Sequence, residues 1–347
     1  MRKPVLNLTS TAQMSQNDWL AFRDCGIGAS DVGVVMGLSQ YKASIKLFYE
    51  KIGLNDAMDI ENIAMFMGKE QEAFVAKMWQ YWDGSEASLI ENYRAGNMVR
   101  RMRRINAYVQ NPKYPHLFVS LDRIINKHSV LVGEKIIEKG QGALEIKTLS
   151  GYESEKWESG LPPSHVVQVQ TQLIVTGFKY GEIAVLKDGR FFEVYPFEKH
   201  AGVCREIIKQ TTDFWNRVKE GRKLVTKIYE ARNSFNTKKV REFEAELYRI
   251  EPEPDGSDAF VKFLKEKYRD PEPKSERMGT DEEFLFGKKH AELKEKERKI
   301  KADIQLQENN IKARMQNFEC LTFGDNGRIY WKNDAAGSRR FTNKIIL

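Results

Sequence analysis

The sequence predicts an α/β protein, with a mixed β-sheet flanked by helices and a helical extension that ends in a β-hairpin. Three observations predict it. Short apolar or alternating runs at 117–125, 143–147, 183–186 and 191–195 have strand character. Longer runs with apolar residues three and four apart lie before, between and after them. Beyond about residue 236 strand signals give way to charged helical periodicity, until a last pair of short strands. The chain, at 347 residues, is long enough for one large domain with an appendage or for two domains. Lys and Arg number 56 against 49 Asp and Glu, a net charge of +7, which favours a polyanionic partner. Cys25, Cys204 and Cys320 are widely spaced and form no C-x-x-C, so neither a disulfide framework nor a zinc site is expected. No apolar run approaches 18 residues and no signal-peptide core opens the chain, so no membrane partner is expected and the expected location is a reducing cytoplasm.

Taken in order, residues 1–14 form a loose arm ahead of a short helix at 15–24, with Trp19 and Phe22 as its buried stripe. The Gly26-Ile27-Gly28-Ala29 bend allows close backbone approach, and Ser30-Asp31 has the form of an N-cap for a helix through Met36. Such a glycine-preceded helix start can bind an anion, although an ordinary serine cap accounts for the same residues. A helix with Ile45, Leu47, Phe48 and Ile52 apolar closes at Gly53. Residues 59–83 keep helical spacing through Phe66, Phe74, Met78 and Trp82, which places Glu72 among core positions, where a carboxylate needs a partner. The arginine-rich run 98–105 opens the sheet, either as a charge-protected edge or facing a polyanion.

Pro162-Pro163 starts a helix over 164–176 that Gly177 ends, dense in Gln168, Gln170 and Gln172. The Asp188-Gly189 turn makes 183–186 and 191–195 a hairpin. A long amphipathic helix follows over 203–231, carrying Ile207, Phe214, Trp215, Val218, Val225 and Ile228. Turn formers at 233–237 set the expected division into 1–235 and 236–347. In the extension, acidic proline-rich breaks at 251–256 and 270–273 bracket a short helix. Thr280 and Glu283 have capping-box spacing before a long charged helix whose narrow seam runs through Leu293, Ile300, Ile304, Ile311, Met315 and Phe318. The closing hairpin pairs 328–332 with 339–341 through a turn at 333–338. This extension can serve as a structural brace or as an arm that contacts DNA or docks a partner.

One stretch has the pattern of a reaction centre. The strand at 117–125 carries Asp122, and after a Lys/Gly-rich turn the strand at 143–147 carries Glu145 and Lys147 on one face, with Ile146 turned into the core. A hairpin pairing sets Asp122 beside them. Two carboxylates, with the Ile146 carbonyl, suit a hard divalent cation, and a neighbouring lysine can orient or deprotonate the attacking water if its pKa is lowered. An isolated E-x-K is more often a solvated strand face.

Asp122 with Glu145-Ile146-Lys147 resembles the signature of PD-(D/E)xK nucleases, and the flanking segments resemble the lambda-exonuclease branch, the YqaJ-type viral recombination nucleases. The matching segments are Trp19 and Arg23 with Gly26 to Asp31, Gly68 to Glu72, Gln168-Val169-Gln170 ahead of Val175-Thr176-Gly177, and Ile329 to Lys332. The resemblance covers about residues 15–230. Leu121 departs from the proline often found before the aspartate, but the carboxylate is retained. The resemblance implies a restriction-endonuclease-like core and a metal-dependent 5′→3′ exonuclease on double-stranded DNA that uses Mg²⁺, with Mn²⁺ able to substitute. Asp122, Glu145 and Ile146 are the implied metal ligands, Lys147, Glu72 and Gln168 complete the catalytic set, and Arg23 and Ser30 are implied to hold a 5′-phosphate. A single-strand annealing recombinase, a homo-oligomeric ring and a phage protein's place in a bacterial cytoplasm are further implications. An endonuclease of the same fold is the nearest alternative, and a non-hydrolytic DNA-binding module is one from another class.

Overall fold

The computed structural model describes residues 6–54, 62–132, 135–151, 157, 160–270, 273–333 and 337–346. The chain divides into two compact units, Met1–Arg269 and Asp270–Leu347.

The first unit opens with strand β1 (Asn7–Ser10), helix α1 (Gln16–Asp24), strand β2 (Ile27–Gly28), and helices α2 (Ala29–Val35) and α3 (Ser44–Lys51). Helices α4 (Ile63–Trp79) and α5 (Glu86–Ala95) precede strands β3 (Met102–Arg103), β4 (Ala107–Gln110), β5 (Leu117–Ser120), β6 (Arg123–Ile125), β7 (His128–Val132), β8 (Lys135–Lys139) and β9 (Gly142–Leu149). Helix α6 (Pro163–Thr176), the hairpin of β10 (Tyr180–Lys187) and β11 (Phe191–Glu198), and helices α7 (Ala201–Asn233), α8 (Thr237–Arg249) and α9 (Asp258–Lys267) complete it.

Mixed sheets flanked by helices are present as expected, but the strands form two of them. One runs β1-β4-β5-β2 and the other β11-β10-β9-β6-β3, with β7 and β8 pairing separately where only a turn was expected. The expected arm at 1–14 supplies β1, which pairs antiparallel with β4. The apolar run 117–125 does not make one strand. It breaks at Leu121-Asp122, passing from the first sheet to the second.

The second sheet separates two cores. Side chains alternate along β9, so Ala143 faces the core that holds Val169, Leu173, Ile183 and Ile207, while Leu144 and Ile146 face the one built with Val75, Ala76 and Trp79 of α4. Parallel pairing of β9 with β10 and antiparallel pairing with β6 hold β9 in the interior of this sheet. On α4, Phe66 and Phe74 were expected in the buried stripe, but both are exposed, because the face that packs on the second core carries Val75, Ala76 and Trp79 instead. The run 98–105 contributes only the two-residue edge strand β3.

The unit boundary falls later than the expected 235/236. The turn formers at 233–237 join two helices that pack together: Leu247 is buried, and Val240 and Phe243 pack on the same core as α7. Phe260 and Phe263 of α9 are buried with Ala43 and Ile45. Each phenyl ring so buried contributes about 2–3 kcal/mol, which keeps 236–269 with the first unit.

In the second unit, helix α10 (Asp281–Met315) starts at the expected capping box, with the Glu283 amide donating to Thr280 and the Glu283 carboxylate accepting from the Thr280 amide. Strands β12 (Cys320–Thr322), β13 (Gly327–Asn333) and β14 (Arg339–Ile345) form an antiparallel sheet, one strand more than the expected hairpin. Residues 59–61 of the expected 59–83 helix, 271–272 of the second proline-rich break, 133–134 of the expected Lys/Gly-rich turn and 334–336 of the 333–338 turn lie outside the described residues.

Candidate active site

The break in the 117–125 run builds the site. Antiparallel register sets Arg123 opposite Leu144, so the pairing carried two positions further would set Leu121 opposite Ile146. The chain has left the sheet by then, and the Asp122 carboxylate takes up the freed amide: Ile146 N–H donates to Asp122 Oδ2 at 2.8 Å. A buried N–H needs such a partner. The same bond fixes Asp122 against the Glu145-Ile146-Lys147 strand.

Glu145 is buried and its carboxylate is surrounded by donors. Gln168 Nε2 donates to Oε1 and Gln172 Nε2 to Oε2, each at 2.6 Å, and Lys147 Nζ lies 2.7 Å from Oε1. Gln168 and Gln172 are four residues apart on α6 and share the face it turns to β9. Gln170 points elsewhere, donating to the Glu198 carbonyl and accepting from the His200 amide. Gln172 is fully buried and its Oε1 has no hydrogen-bond partner among the described residues. Burying an amide acceptor unpaired costs about 1–3 kcal/mol, a cost set against the anchoring of Glu145.

Burial, and then the charge of Glu145, push the Asp122 carboxyl well above the usual carboxylate range, a rise that the Lys147 ammonium only partly offsets. For Lys147 itself burial disfavours the ammonium, but the Glu145 carboxylate outweighs it, with Asp122 adding to the effect, and the pKa is raised. In this arrangement Lys147 is a charged donor paired to Glu145, and burial alone does not give the expected lowering, which rested also on the charge of a bound cation.

Glu72 does not join the carboxylate pair. Its Oε1 accepts from Arg123 Nη1 at 2.5 Å, and Arg123 also donates to the Asp122 carbonyl at 2.6 Å. Arg123 shares the Leu144 face of the sheet, opposite to Glu145, and Glu72, paired to Arg123, acts on Asp122 through charge. Among the described residues no group of three or more His, Cys, Asp and Glu side chains is placed to hold a metal ion. The two carboxylates with the Ile146 carbonyl nevertheless fit Mg²⁺, which commonly takes one or two carboxylates and keeps its waters. Two acidic groups with a single lysine between them also carry the charge deficit that a cation relieves.

Arg23 lies on α1 and Ser30 on α2. Helix α2 is capped by Gly28, not Ser30, because the Asp31 carboxylate three residues on accepts the Gly28 amide at 3.3 Å, and Ser30 is exposed in the first turn. Arg23 donates to Asp31 Oδ1 at 3.2 Å, with its guanidinium 4.8 Å over the Trp19 ring. Helix α2 lies against the start of α6, where a Cβ on Gly33 would come within 3.1 Å of Ser164 Cβ, one turn before Gln168. His165 packs on Trp157, with ring centroids 5.1 Å apart. Two residues of the cluster, Gln172 and Arg123, are not among the candidates that the sequence pattern singles out. Gln172 was signalled by its i+4 spacing from Gln168; Arg123 carried no signal beyond its place next to Asp122.

The site is thus a buried carboxylate pair with lysine and glutamine donors, set where a strand crosses between two mixed sheets. Residues 18–179 match the family model of the YqaJ-like viral recombinase domain. A Bacillus subtilis (strain 168) protein, the uncharacterized protein YqaJ, is 28% identical over 328 residues, 94% of this chain and 86% of that protein. Among solved structures, an alkaline exonuclease (LHK-Exo) from Laribacter hongkongensis is similar with a TM-score of 0.45 at 18% identity, over 61% of this chain and 96% of that chain. A complex of LHK-Exo with dAMP gives a TM-score of 0.46 at 18% identity, over 64% of this chain and 100% of that one.

Proposed function

We propose that this protein is a Mg²⁺-dependent DNA nuclease, with Mn²⁺ able to substitute, which digests duplex DNA 5′→3′ from phosphorylated ends and leaves 3′ single strands for a single-strand annealing recombinase in a bacterial cytoplasm. The observation that carries the reading is the convergence of Asp122, Glu145 and Lys147 on one another, with Gln168 and Gln172 holding Glu145. Asp122, Glu145 and the Ile146 carbonyl would hold the cation, which when bound polarises the scissile phosphate and offsets the charge that builds up in the transition state. Lys147 orients the attacking water through its ammonium hydrogens. The water oxygen bonds to phosphorus as the P–O3′ bond breaks, and the water's proton is passed to solvent as the 3′ oxygen takes one up.

A homo-oligomeric ring would keep such an enzyme on its duplex; a strictly monomeric mass at micromolar concentration would remove that part. No helix among the described residues is long and apolar enough to cross a membrane. An endonuclease of the same fold is a second reading, favoured by one observation: Asp31 already occupies Arg23, the residue assigned to the terminal phosphate. The deciding experiment incubates 5′-phosphorylated, 5′-hydroxyl and closed circular duplexes with the protein and Mg²⁺. Preferred digestion of the phosphorylated ends, lost with chelator, is expected. Cutting of circles at the same rate selects the endonuclease, and intact DNA in all three with either metal overturns hydrolysis.

A further inference from the structure

The terminal sheet has two unlike faces. Register sets Arg328 opposite Lys344, Tyr330 opposite Thr342 and Lys332 opposite Arg340, and β12 adds Thr322 opposite Arg328. Directly opposite residues in an antiparallel pair share a face, so these side chains lie together. The four cations and both threonines are exposed. The other face carries Leu321, Ile329, Trp331 and Phe341. There Ile329 is buried, Lys312 of α10 lies 5.0 Å over the Phe341 ring, and Arg339 folds to 3.7 Å over Trp331 while donating to the Gln316 and Phe318 carbonyls. One face is therefore occupied by the unit's own packing.

The exposed face holds a charge arrangement that folding alone does not favour. Like charges directly opposite destabilise an antiparallel pair, and two such pairs stand here, one on each side of Tyr330. The three strands contain no acidic residue, and among the described residues none of the four cations forms an ion pair with a carboxylate. Lys332 Nζ lies 5.6 Å over the Tyr330 ring, and Arg328 hydrogen-bonds the same tyrosine. Arg328 and Lys332 are four residues apart, about 13 Å along the strand, or about four times the axial spacing of charges on one strand of a duplex.

We propose that this face of the terminal sheet is a nucleic-acid contact, separate from the carboxylate site, on which Arg328, Lys332, Arg340 and Lys344 hold the phosphates of a DNA strand that crosses Tyr330. A repeating row of phosphates neutralises both like-charge pairs at once. An anionic lipid surface fits less well, since membrane-bound faces set apolar side chains beside their cations, and here threonines fill that place. The proposal does not depend on whether the protein hydrolyses DNA.

The test measures binding of the full chain to fluorescein-labelled 30-mers, single-stranded and duplex, by anisotropy in chelator across about 50–200 mM salt. The quadruple variant R328Q/K332Q/R340Q/K344Q should bind at least tenfold more weakly at the low-salt end. Its slope of log affinity against log salt should be shallower by about three, since each phosphate contact contributes about 0.7 to 0.9. The charge-conserving R328K/R340K should keep the wild-type slope to within about one. Should the quadruple variant not fold, the two cross-strand pairs changed separately are each expected to take about half of that slope. A folded quadruple variant with unaltered affinity and slope overturns the proposal. So does tighter wild-type binding to phosphatidylserine vesicles than to DNA that disappears in the quadruple variant.

Discussion

The two charged regions of this chain are built on opposite terms. At the carboxylate site both carboxylates are buried or half-buried and already engaged: Glu145 by Gln168, Gln172 and Lys147, and Asp122 by the Ile146 amide. On the terminal sheet the cations stand in water beside one another. Low dielectric strengthens electrostatic interactions and makes position matter, whereas exposed charge acts at a distance and is screened by salt. A region built like the first can carry chemistry; one built like the second can hold a polyanion without choosing among sequences. Variants in the first should therefore change rate and leave salt dependence alone, and variants in the second should do the reverse.

The largest expected effect follows from removing either carboxylate. Asp122→Ala deletes the acceptor that fixes Ile146, and Glu145→Ala deletes the group to which three donors are aimed; each should lower hydrolysis by at least about a thousandfold, or ~4 kcal/mol in barrier. The salt slope of DNA binding in chelator should stay at the wild-type value. If Asp122→Ala digests duplex DNA at the wild-type rate, the site has been placed wrongly.

A smaller loss should come from Gln172, which touches no substrate in this arrangement and acts through Glu145. Partners that orient a ligand commonly cost 10- to 100-fold when removed, and Gln172→Leu should fall in that range, with weaker Mn²⁺ binding by calorimetry. Because Gln172 Oε1 has no partner, the leucine also removes an unsatisfied buried acceptor, so thermal stability should fall little or not at all. A large loss of stability with unchanged metal binding would make Gln172 a packing residue only.

These cases also indicate which parts of the structure could be read from the sequence. Strand alternation is local, so Glu145 and Lys147 on one face, with Ile146 in the core, needed only a period of two. The break at Leu121-Asp122 could not be read, because apolar residues continue on both sides of it, Leu117 to Val119 and Ile124-Ile125, and the break depends on an amide 24 residues later. The partner of Glu72 depended on which sheet face α4 covers, a tertiary fact, and the carboxylate went to Arg123 instead of to the pair. At α2 the local signal was ambiguous: Ser30-Asp31 has the composition of a cap, but Gly28 needs no side chain to occupy the cap position when Asp31 accepts its amide. The division into compact units lies beyond 233–237 for a similar reason. Turn formers mark the end of a helix, and only the burial of Leu247 against the preceding core shows that the chain has not left its domain.

The smallest effect expected concerns Arg23, and it separates the two nuclease readings. For a terminal 5′-phosphate to be held there, Arg23 must trade its bond to Asp31, 3.2 Å long and partly buried, for bonds to a dianion. The exchange returns less than a new charge-assisted hydrogen bond of 1.5–3 kcal/mol would. About one decade in rate, ~1.4 kcal/mol, is therefore expected when either the 5′-phosphate or the arginine, by Arg23→Ala, is removed. Removing both should cost little more than removing one, since both changes delete the same interaction. Asp31→Asn sharpens the case: it weakens the competing partner, so digestion of 5′-phosphorylated ends should hold or rise while 5′-hydroxyl ends gain nothing. If Arg23→Ala slows both kinds of end equally, Arg23 supports the fold of α1 and α2 through Asp31 and Trp19, and end recognition lies elsewhere on the chain.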